Sequence, residues 1–145
     1  MSGLGGTSTH PMDKKGRISL PSKHYRVLLD DLAVIKGPDR KFPCLWAYRA
    51  SEFDAWARNF LEGDEGFQQR SASQNALKRR LFASREDITV DAAQRILIPK
   101  ALRGYASLEE TVVIVGVDDH IEIWNPDVLE EADEFYDEHE LMDRP

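Results

Sequence analysis

The chain has 145 residues, of which 41% are hydrophobic and 31% are charged, a composition typical of a soluble globular protein. No apolar run approaches the roughly 20 residues that a transmembrane helix needs, and the first six residues lack the basic and apolar regions of a signal peptide. The single cysteine, Cys44, excludes an intrachain disulfide, and no spacing of His or Cys indicates a metal site. We therefore expect a cytoplasmic protein with no cofactor and no membrane partner.

The net charge of −7 is distributed unevenly along the chain. Residues 127–145 hold nine acidic side chains and one arginine, so the rest of the chain has a net charge of +1. Residues 10–26 carry +4 and residues 68–85 carry +5. Because salt screens exposed charges beyond about 8–10 Å, local basic patches decide whether a polyanion binds more than the total charge does. Nucleic acid is therefore not excluded, and we expect the acidic segment to lie away from any such partner.

The first half of the chain predicts short strands and two helices. Ile18 and Leu20 alternate with polar residues, which predicts a strand after a polar turn at residues 13–16. Pro21 ends that strand and suits the first turn of a helix. The remaining predicted elements of this half are, in order, a helix over residues 22–29, strands over residues 32–35 and 44–48, and a helix over residues 51–62.

The second half repeats this order of elements. The strand at residues 88–90 leads into a turn at Asp91, and the next strand contains Ile96 and Ile98. The remaining predicted elements are a short helix over residues 99–103, strands over residues 111–117 and 121–124, a helix that Asn125 and Pro126 begin, and a basic helix over residues 67–83 that connects the halves. Because a unit of about fifty residues is too small to bury a good core alone, the two units should pack against each other.

A motif that occurs twice marks the two corresponding turns. Asp13-Lys-Lys-Gly-Arg17-Ile-Ser-Leu-Pro21 returns 78 residues later as Asp91-Ala-Ala-Gln-Arg95-Ile-Leu-Ile-Pro99. An Asp at the start of a tight turn accepts backbone hydrogen bonds, and an Arg at the mouth of the next strand can meet a phosphate or a guanine edge. The structural alternative is an Asp-Arg pair that merely fixes the hairpin. Two copies beside a basic segment favour contact with a ligand, without indicating which ligand.

From about Gly5 to Glu131 the sequence resembles the MraZ family, bacterial transcription regulators built from two AbrB-like (SpoVT-AbrB) domains, and three segments carry the most specific part of this resemblance. These segments are the two motif copies and Val115-Gly-Val-Asp-Asp-His-Ile-Glu-Ile-Trp124. The resemblance implies an α+β, mainly β fold with two pseudo-symmetric, AbrB-type swapped-hairpin (double-psi-like) β-barrel units and flanking helices. The implied division is a first SpoVT-AbrB-like domain over residues 5–52, connecting helices over residues 53–83, a second such domain over residues 84–127, and an acidic C-terminal helix or tail over residues 128–145.

The same resemblance implies a function. Family members bind double-stranded DNA through the surface that bears the motif, form ring-like homo-oligomers, and act on the promoter of the cell division and cell wall gene cluster that often includes their own gene. We therefore expect a nucleoid-associated repressor that binds direct repeats in its own promoter. Carried onto this sequence, the candidate DNA-binding residues are Asp13, Lys14, Lys15, Arg17, Asp91, Gln94 and Arg95.

The second motif departs from the family pattern. Ala92, Ala93 and Gln94 replace a lysine or glutamine followed by glycine, which removes both charge and turn flexibility. We therefore expect Arg17 to make the dominant contact, with Arg95 weaker or mainly structural.

Two other classes of function are alternatives to DNA binding. An oligomeric assembly or protein-interaction module would use the motif arginines for contacts between subunits. An enzyme is disfavoured, because the sequence has no Gly-x-Ser-x-Gly or phosphate-loop motif and Asp118-Asp119-His120 is typical of a hairpin turn. The four histidines also lack metal-ligand spacing, so we predict no catalytic and no metal-binding residues.

Overall fold

The computed structural model describes residues 3–28, 31–62 and 72–139, which form eight strands and five helices. The strands are β1 (Thr7–Pro11), β2 (Arg17–Ser19), β3 (Asp31–Lys36), β4 (Leu45–Arg49), β5 (Glu86–Thr89), β6 (Arg95–Leu97), β7 (Thr111–Val117) and β8 (His120–Trp124). The helices are α1 (Ser22–Leu28), α2 (Ala50–Glu62), α3 (Ala72–Ala83), α4 (Lys100–Tyr105) and α5 (Pro126–His139). Within these ranges, no helix combines the length and the apolar character needed to cross a membrane.

The two halves of the chain contribute matching elements. The first half supplies β1–β4 with α1 and α2, the second supplies β5–β8 with α4 and α5, and α3 lies between them in the chain. This confirms the predicted order of strands and helices from the first motif onward, whereas β1 precedes the first strand predicted for that half. The predicted connecting helix over residues 67–83 is helical from Ala72, and residues 67–71 lie outside the described ranges, as does Leu29 at the end of the first predicted helix.

Strands are exchanged between the two halves. Six strands form an antiparallel sheet in the order β1-β7-β8-β4-β3-β5, so β1 pairs with the second half and β5 pairs with the first. The strands β2 and β6 form a separate antiparallel ribbon. In that ribbon Ile18 lies opposite Ile96, its own counterpart in the other motif. The halves are therefore related by an approximate twofold axis at this isoleucine pair.

The six-stranded sheet is covered on both faces. Side chains alternate along a strand, and Leu32 and Val34 of β3 accordingly join one core cluster while Ala33 and Ile35 join another. The first cluster contains the inward-facing isoleucines of the ribbon together with α1 and α4, and the second contains buried residues of α2 and α3. A third cluster joins α5 to Val113 and to the other outward side chains of β7 and β8. The ribbon thus lies on the opposite face of the sheet from α2, α3 and α5.

The acidic helix α5 begins as the sequence predicts. The side-chain oxygen Oδ1 of Asn125 accepts hydrogen bonds from the backbone nitrogens of Asp127, at 2.8 Å, and Val128, at 3.3 Å. Such an N-cap satisfies two donors that the first helical turn leaves free, and Pro126 occupies the first helical position. Because α5 packs on the face opposite the ribbon, the acidic charge of residues 126–139 is separated from the two motif turns.

The fold is α+β and mainly β, as predicted, but the expected closed barrel does not form within the described residues. The six-stranded sheet is open, with β1 at one edge and β5 at the other. The equivalent strands β4 and β8 pair at the centre of the sheet, and the two edge strands β1 and β5 do not pair with each other in the described residues. The prediction of β-barrel units was wrong in this respect.

Candidate nucleic-acid interface

The first motif forms a tight turn that its own aspartate holds together. Oδ1 of Asp13 accepts hydrogen bonds from the backbone nitrogens of Lys15 and Arg17, each at 2.9 Å. Oδ2 accepts a hydrogen bond from Nε of Arg17 at 2.7 Å. The backbone nitrogen of Gly16 donates to the carbonyl of Asp13 at 3.0 Å. One short acidic side chain therefore fixes both the shape of the turn and the direction of the arginine that follows it.

The second motif forms the same turn without lysine or glycine. Oδ1 of Asp91 accepts from the backbone nitrogens of Ala93 and Arg95, each at 2.9 Å, and Oδ2 accepts from Nε of Arg95 at 3.1 Å. The two arginine side chains are also similarly exposed, at 34% for Arg17 and 38% for Arg95. The geometry of the arginines themselves does not distinguish the two turns.

Gln94 adopts the backbone conformation that Gly16 has in the first turn. The φ angle is 63° at Gln94 and 95° at Gly16, and both values lie in the left-handed region. An L-residue with a side chain pays about 1–2 kcal/mol to adopt this region, whereas glycine does not. The missing glycine has therefore not altered the hydrogen bonds of the second turn, which keeps its shape by straining one residue.

Adding a side chain at position 16 and removing one at position 94 should have opposite effects on the free energy of unfolding. Gln94→Gly should stabilise the fold by up to about 1 kcal/mol, because it relieves left-handed strain but also gives the unfolded chain more freedom. Gly16→Ala should destabilise it by about 1–3 kcal/mol, because the new side chain would be strained. Its Cβ would also lie 2.7 Å from Nε of Arg103. Urea unfolding measures both changes, and a shift of the same sign in the two variants would contradict this expectation.

Both motif carboxyl groups are ionised at neutral pH. The backbone N–H of Arg17, assisted by its side chain and by the backbone N–H of Lys15, lowers the pKa of Asp13 from 3.8 to about 2. The backbone N–H of Arg95 likewise lowers the pKa of Asp91. Each arginine therefore faces a carboxylate through Nε, and its two Nη atoms make no hydrogen bond to another described residue. These Nη atoms are available to an external acceptor.

The ribbon presents both arginines on one exposed face. Arg17 lies opposite Leu97, and Ser19 lies opposite Arg95, while the central isoleucine pair points inward. Because side chains alternate along a strand, these four residues share the outward face, which we call the ribbon face. Because β2 and β6 are antiparallel, the turns that precede them lie at opposite ends of this face.

All seven predicted site residues lie on the ribbon face or at one of its ends. The first end holds Asp13, Lys14, Lys15 and Arg17, and the second end holds Asp91, Gln94 and Arg95. Lys14 and Lys15 are exposed, whereas Ala92 and Ala93 occupy the corresponding positions at the second end. The two ends therefore share a backbone shape and differ in charge. A role for each of these residues in binding DNA stays a prediction.

Arg103 is a basic residue at the first end that the motif analysis missed. Its Nε donates a hydrogen bond to the carbonyl of Ile98 at 2.9 Å, and its guanidinium lies over Gly16. Arg103 belongs to α4 of the second half, yet it adds positive charge to the turn of the first half. The sequence shows a basic residue in the last turn of a short helix, but it does not show the pairing of strands that brings this helix to the other turn.

The basic helix α3 does not extend the ribbon face. It packs on the opposite face of the sheet, where its Leu81 is buried. Just after it, Arg85 is paired with Asp54 at 3.1 Å and with Asp87 at 2.9 Å. The positive charge of residues 68–85 is therefore in part neutralised locally, and its described part lies apart from both motif turns.

The segment Asp118-Asp119-His120 forms the turn of the β7–β8 hairpin, as predicted. The ring of His120 is buried, stacks on Tyr48 at 4.7 Å between ring centroids, and shares a 2.7 Å hydrogen bond with Asp119 through Nδ1. Across residues 3–28, 31–62 and 72–139, no group of three or more His, Cys, Asp and Glu side chains is placed to hold a metal ion.

The fold and the ribbon face define a class of protein: an internally repeated α+β protein that presents two Asp-Arg turns on one basic surface. A family model described as "MraZ protein, putative antitoxin-like" matches residues 4–77 and 81–140. The chain belongs to the MraZ family, which confirms the resemblance carried by the two motifs.

Curated relatives agree with this assignment. A protein named transcriptional regulator MraZ from Mycoplasmoides gallisepticum is 36% identical over 129 residues, which cover 89% of this chain and 86% of that protein. A protein of the same name from Saccharopolyspora erythraea is 36% identical over 135 residues, which cover 93% and 87% of the two chains. Another from Symbiobacterium thermophilum is 34% identical over 137 residues, which cover 92% and 94%.

Proposed function

We propose that this chain is a sequence-specific DNA-binding transcriptional regulator that contacts double-stranded DNA through the ribbon face. Membership of a family whose curated relatives are named transcriptional regulators supports the class. The observation that carries the assignment to this surface is the pair of Asp-Arg turns at its two ends, which share the same pattern of hydrogen bonds. Each turn holds an arginine by Nε and leaves the outer part of the guanidinium free, which suits a phosphate or the O6 and N7 atoms of guanine.

A net charge of −7 would by itself repel DNA, but the acidic side chains of residues 126–139 lie on a different side of the molecule from the basic side chains of the first motif turn. The acidic helix α5 and the ribbon face lie on opposite sides of the six-stranded sheet. Lys14, Lys15 and Arg103 surround the first turn, so a phosphate approaching that end meets cations within the screening length of about 8–10 Å. In this proposal the lysines contact the backbone of the DNA and the motif arginines contact bases or phosphates.

Assembly supplies the affinity that one chain lacks. Three or four cations per chain give a salt slope of about −3, which is too small for tight binding by a single chain. We propose ring-like homo-oligomers that engage direct repeats in a promoter, since linking several weak contacts raises the overall affinity by about 10² to 10⁴ when the spacing matches.

The proposed target is the promoter of the cell division and cell wall gene cluster, including the gene of the chain itself, and the proposed effect is repression in the cytoplasm at the nucleoid. The proposed division is into SpoVT-AbrB-like domains over residues 5–52 and 84–127, with connecting helices over residues 53–83 and an acidic segment over residues 128–145. The exchange of β1 and β5 between the halves supports an AbrB-type swapped-hairpin arrangement of these domains.

Footprinting on the DNA upstream of the chain's own gene tests the proposal. We expect protection of a series of direct repeats, with reporter expression from that promoter falling as the protein is supplied. Absence of any protected repeat would count decisively against a regulator of this promoter.

Removing the two exposed lysines of the first turn should change the salt dependence of binding. For the double variant Lys14→Ala/Lys15→Ala, we expect the slope of log affinity against log salt to become shallower by about 2 per chain, because two phosphate contacts are lost. Binding isotherms over a range of salt concentrations measure this slope.

The matched control for this experiment is Lys78→Ala/Arg79→Ala. It removes the same charge from exposed positions of α3, on the opposite face of the sheet. The control should keep the wild-type slope. An equal change in both double variants would mean that DNA responds to net charge and not to the ribbon face.

A further inference from the structure

A large apolar side chain lies within the basic ribbon face. Leu97 is 51% exposed, which is more than Phe82 at 39% or Val117 at 37%, the other large exposed hydrophobic residues in the described ranges. It lies directly opposite Arg17 in the ribbon. Residues opposed in this way have Cβ atoms about 4.5–5.5 Å apart, so the leucine stands beside the stem of the arginine. An isolated exposed leucine carries little meaning, but this one shares its surface with both motif arginines.

The counterpart of Leu97 in the first half is Ser19, which is exposed and lies opposite Arg95. The inward position of the ribbon is isoleucine in both halves, because both side chains fill the same core. The outward position packs against nothing in the core and differs between the halves. One arginine therefore has an apolar neighbour, and the other has a hydroxyl.

A two-stranded β-ribbon is one of the elements that can enter the major groove of DNA. That groove is about 12 Å wide, and thymine is the base that presents a methyl group there. Serine can hydrogen-bond to several base edges in the same groove. A side chain such as Leu97, placed next to an arginine on the outward face of a ribbon, meets the requirements for contact with that methyl group.

We propose that Leu97 and Ser19 determine base specificity: Leu97 contacts the C5-methyl of a thymine adjacent to the base pair met by Arg17, and Ser19 contacts a polar base edge adjacent to that met by Arg95. The inference rests on the proposed DNA-binding function and extends it to two residues outside the motif pairs. Contact of Leu97 with the ribbon face of a second copy is disfavoured by charge, because Lys14, Lys15 and Arg17 lie at the same end of the face and would meet their own copies.

Deoxyuridine tests the methyl contact, since it differs from thymidine only by lacking that group. The probe is the DNA fragment upstream of the chain's own gene, prepared once with thymine and once with deoxyuridine throughout. Wild-type protein should bind the thymine fragment about three- to fivefold more tightly for each repeat engaged, as expected for burial of one methyl group per repeat. For Leu97→Ser the two fragments should bind equally, and for Leu97→Met the preference should remain. Comparing the ratio between variants cancels any effect of deoxyuridine on the shape of the DNA.

The reciprocal variant Ser19→Leu should increase the preference for thymine or shift it to another repeat position. Because Ser19 and Leu97 are exposed, all three variants should keep the melting temperature of the wild type. An equal ratio for wild type and Leu97→Ser would overturn the inference and leave the proposed function standing. Failure of the wild type to bind either fragment would overturn both this inference and the proposed function. An unchanged ratio with an altered assembly mass for Leu97→Ser, measured by light scattering, would assign the leucine to contact between copies.

Discussion

Replacing Arg17 with alanine should weaken binding to the upstream DNA by about 5- to 150-fold, which corresponds to about 1–3 kcal/mol for a lost bidentate contact. The variant should still fold, because Oδ1 of Asp13 continues to accept hydrogen bonds from the backbone of the turn. What is lost is the guanidinium that Oδ2 holds at 2.7 Å. Fluorescence anisotropy with a duplex that carries the protected repeats measures the change.

Two further variants separate the contribution of the charge of Arg17 from that of its planar guanidinium, and the contribution of the first end from that of the second. Arg17→Lys keeps the charge and loses the planar fork, so it should recover binding to phosphate but not discrimination between bases. Arg95→Ala should cost less than Arg17→Ala, because Ala92 and Ala93 stand in the second turn where the first turn has Lys14 and Lys15. Equal losses for the two alanine variants would show that the ends contribute equally, as their matching hydrogen bonds alone would suggest.

The oligomeric state of the same variant decides between the two candidate functions. If Arg17→Ala bound DNA with unchanged affinity but no longer assembled, the motif arginines would serve contacts between subunits. The chain would then be an assembly or interaction module. Size-exclusion chromatography with light scattering, performed on the sample used for anisotropy, provides this readout.

Replacing Ile18 with alanine should lower the free energy of unfolding by about 2–5 kcal/mol, the usual range for truncating a buried isoleucine to alanine. Ile18 is fully buried and lies on the approximate twofold axis opposite Ile96. Loss of its side chain leaves a cavity between the ribbon and the six-stranded sheet, to which both halves contribute. Ile96→Ala should have a similar effect because it removes the other side chain of the pair. Chemical denaturation measures both.

Leu97→Ala is the matched control for the isoleucine variants. It also truncates a branched side chain of the ribbon, one position along β6, but Leu97 faces solvent. Its effect on stability should stay within about 0.5 kcal/mol, as for most surface substitutions. A comparable loss in the control and in Ile18→Ala would mean that the ribbon is held by its own strand pairing and not by burial of its inner face.

The sequence predicts most elements because their signals are local. Residues 111–117 are a continuous apolar run, and Asn125 and Pro126 carry the chemistry of a helix start. The strand β1 has a much weaker signal, since Thr7–Pro11 is polar and mostly exposed. It is a strand because β7 of the other half pairs with it, and such a pairing is not visible in the five residues themselves.

The candidate site was predictable only where the motif is repeated. Asp13 and Arg17 stand out because both return 78 residues later, and the structure gives them the same hydrogen bonds in each copy. The left-handed Gln94 was not predictable, because non-glycine residues rarely adopt that conformation and tertiary contacts impose it here. Arg103 and Leu97 were missed for a different reason: their relation to the first turn depends on the pairing of β2 with β6.

The two ends of the ribbon face are related by an approximate twofold axis, yet they differ in sequence. Two identical polypeptides arranged around such an axis would have identical ends and would match a palindrome in DNA. Here one continuous polypeptide supplies both ends, so Lys14-Lys15-Gly16 at one end is free to differ from Ala92-Ala93-Gln94 at the other while the backbone stays the same. In the proposed DNA-binding role, an object with unlike ends would have a polarity along the double helix, and successive copies placed head to tail would match sequences that repeat in one orientation.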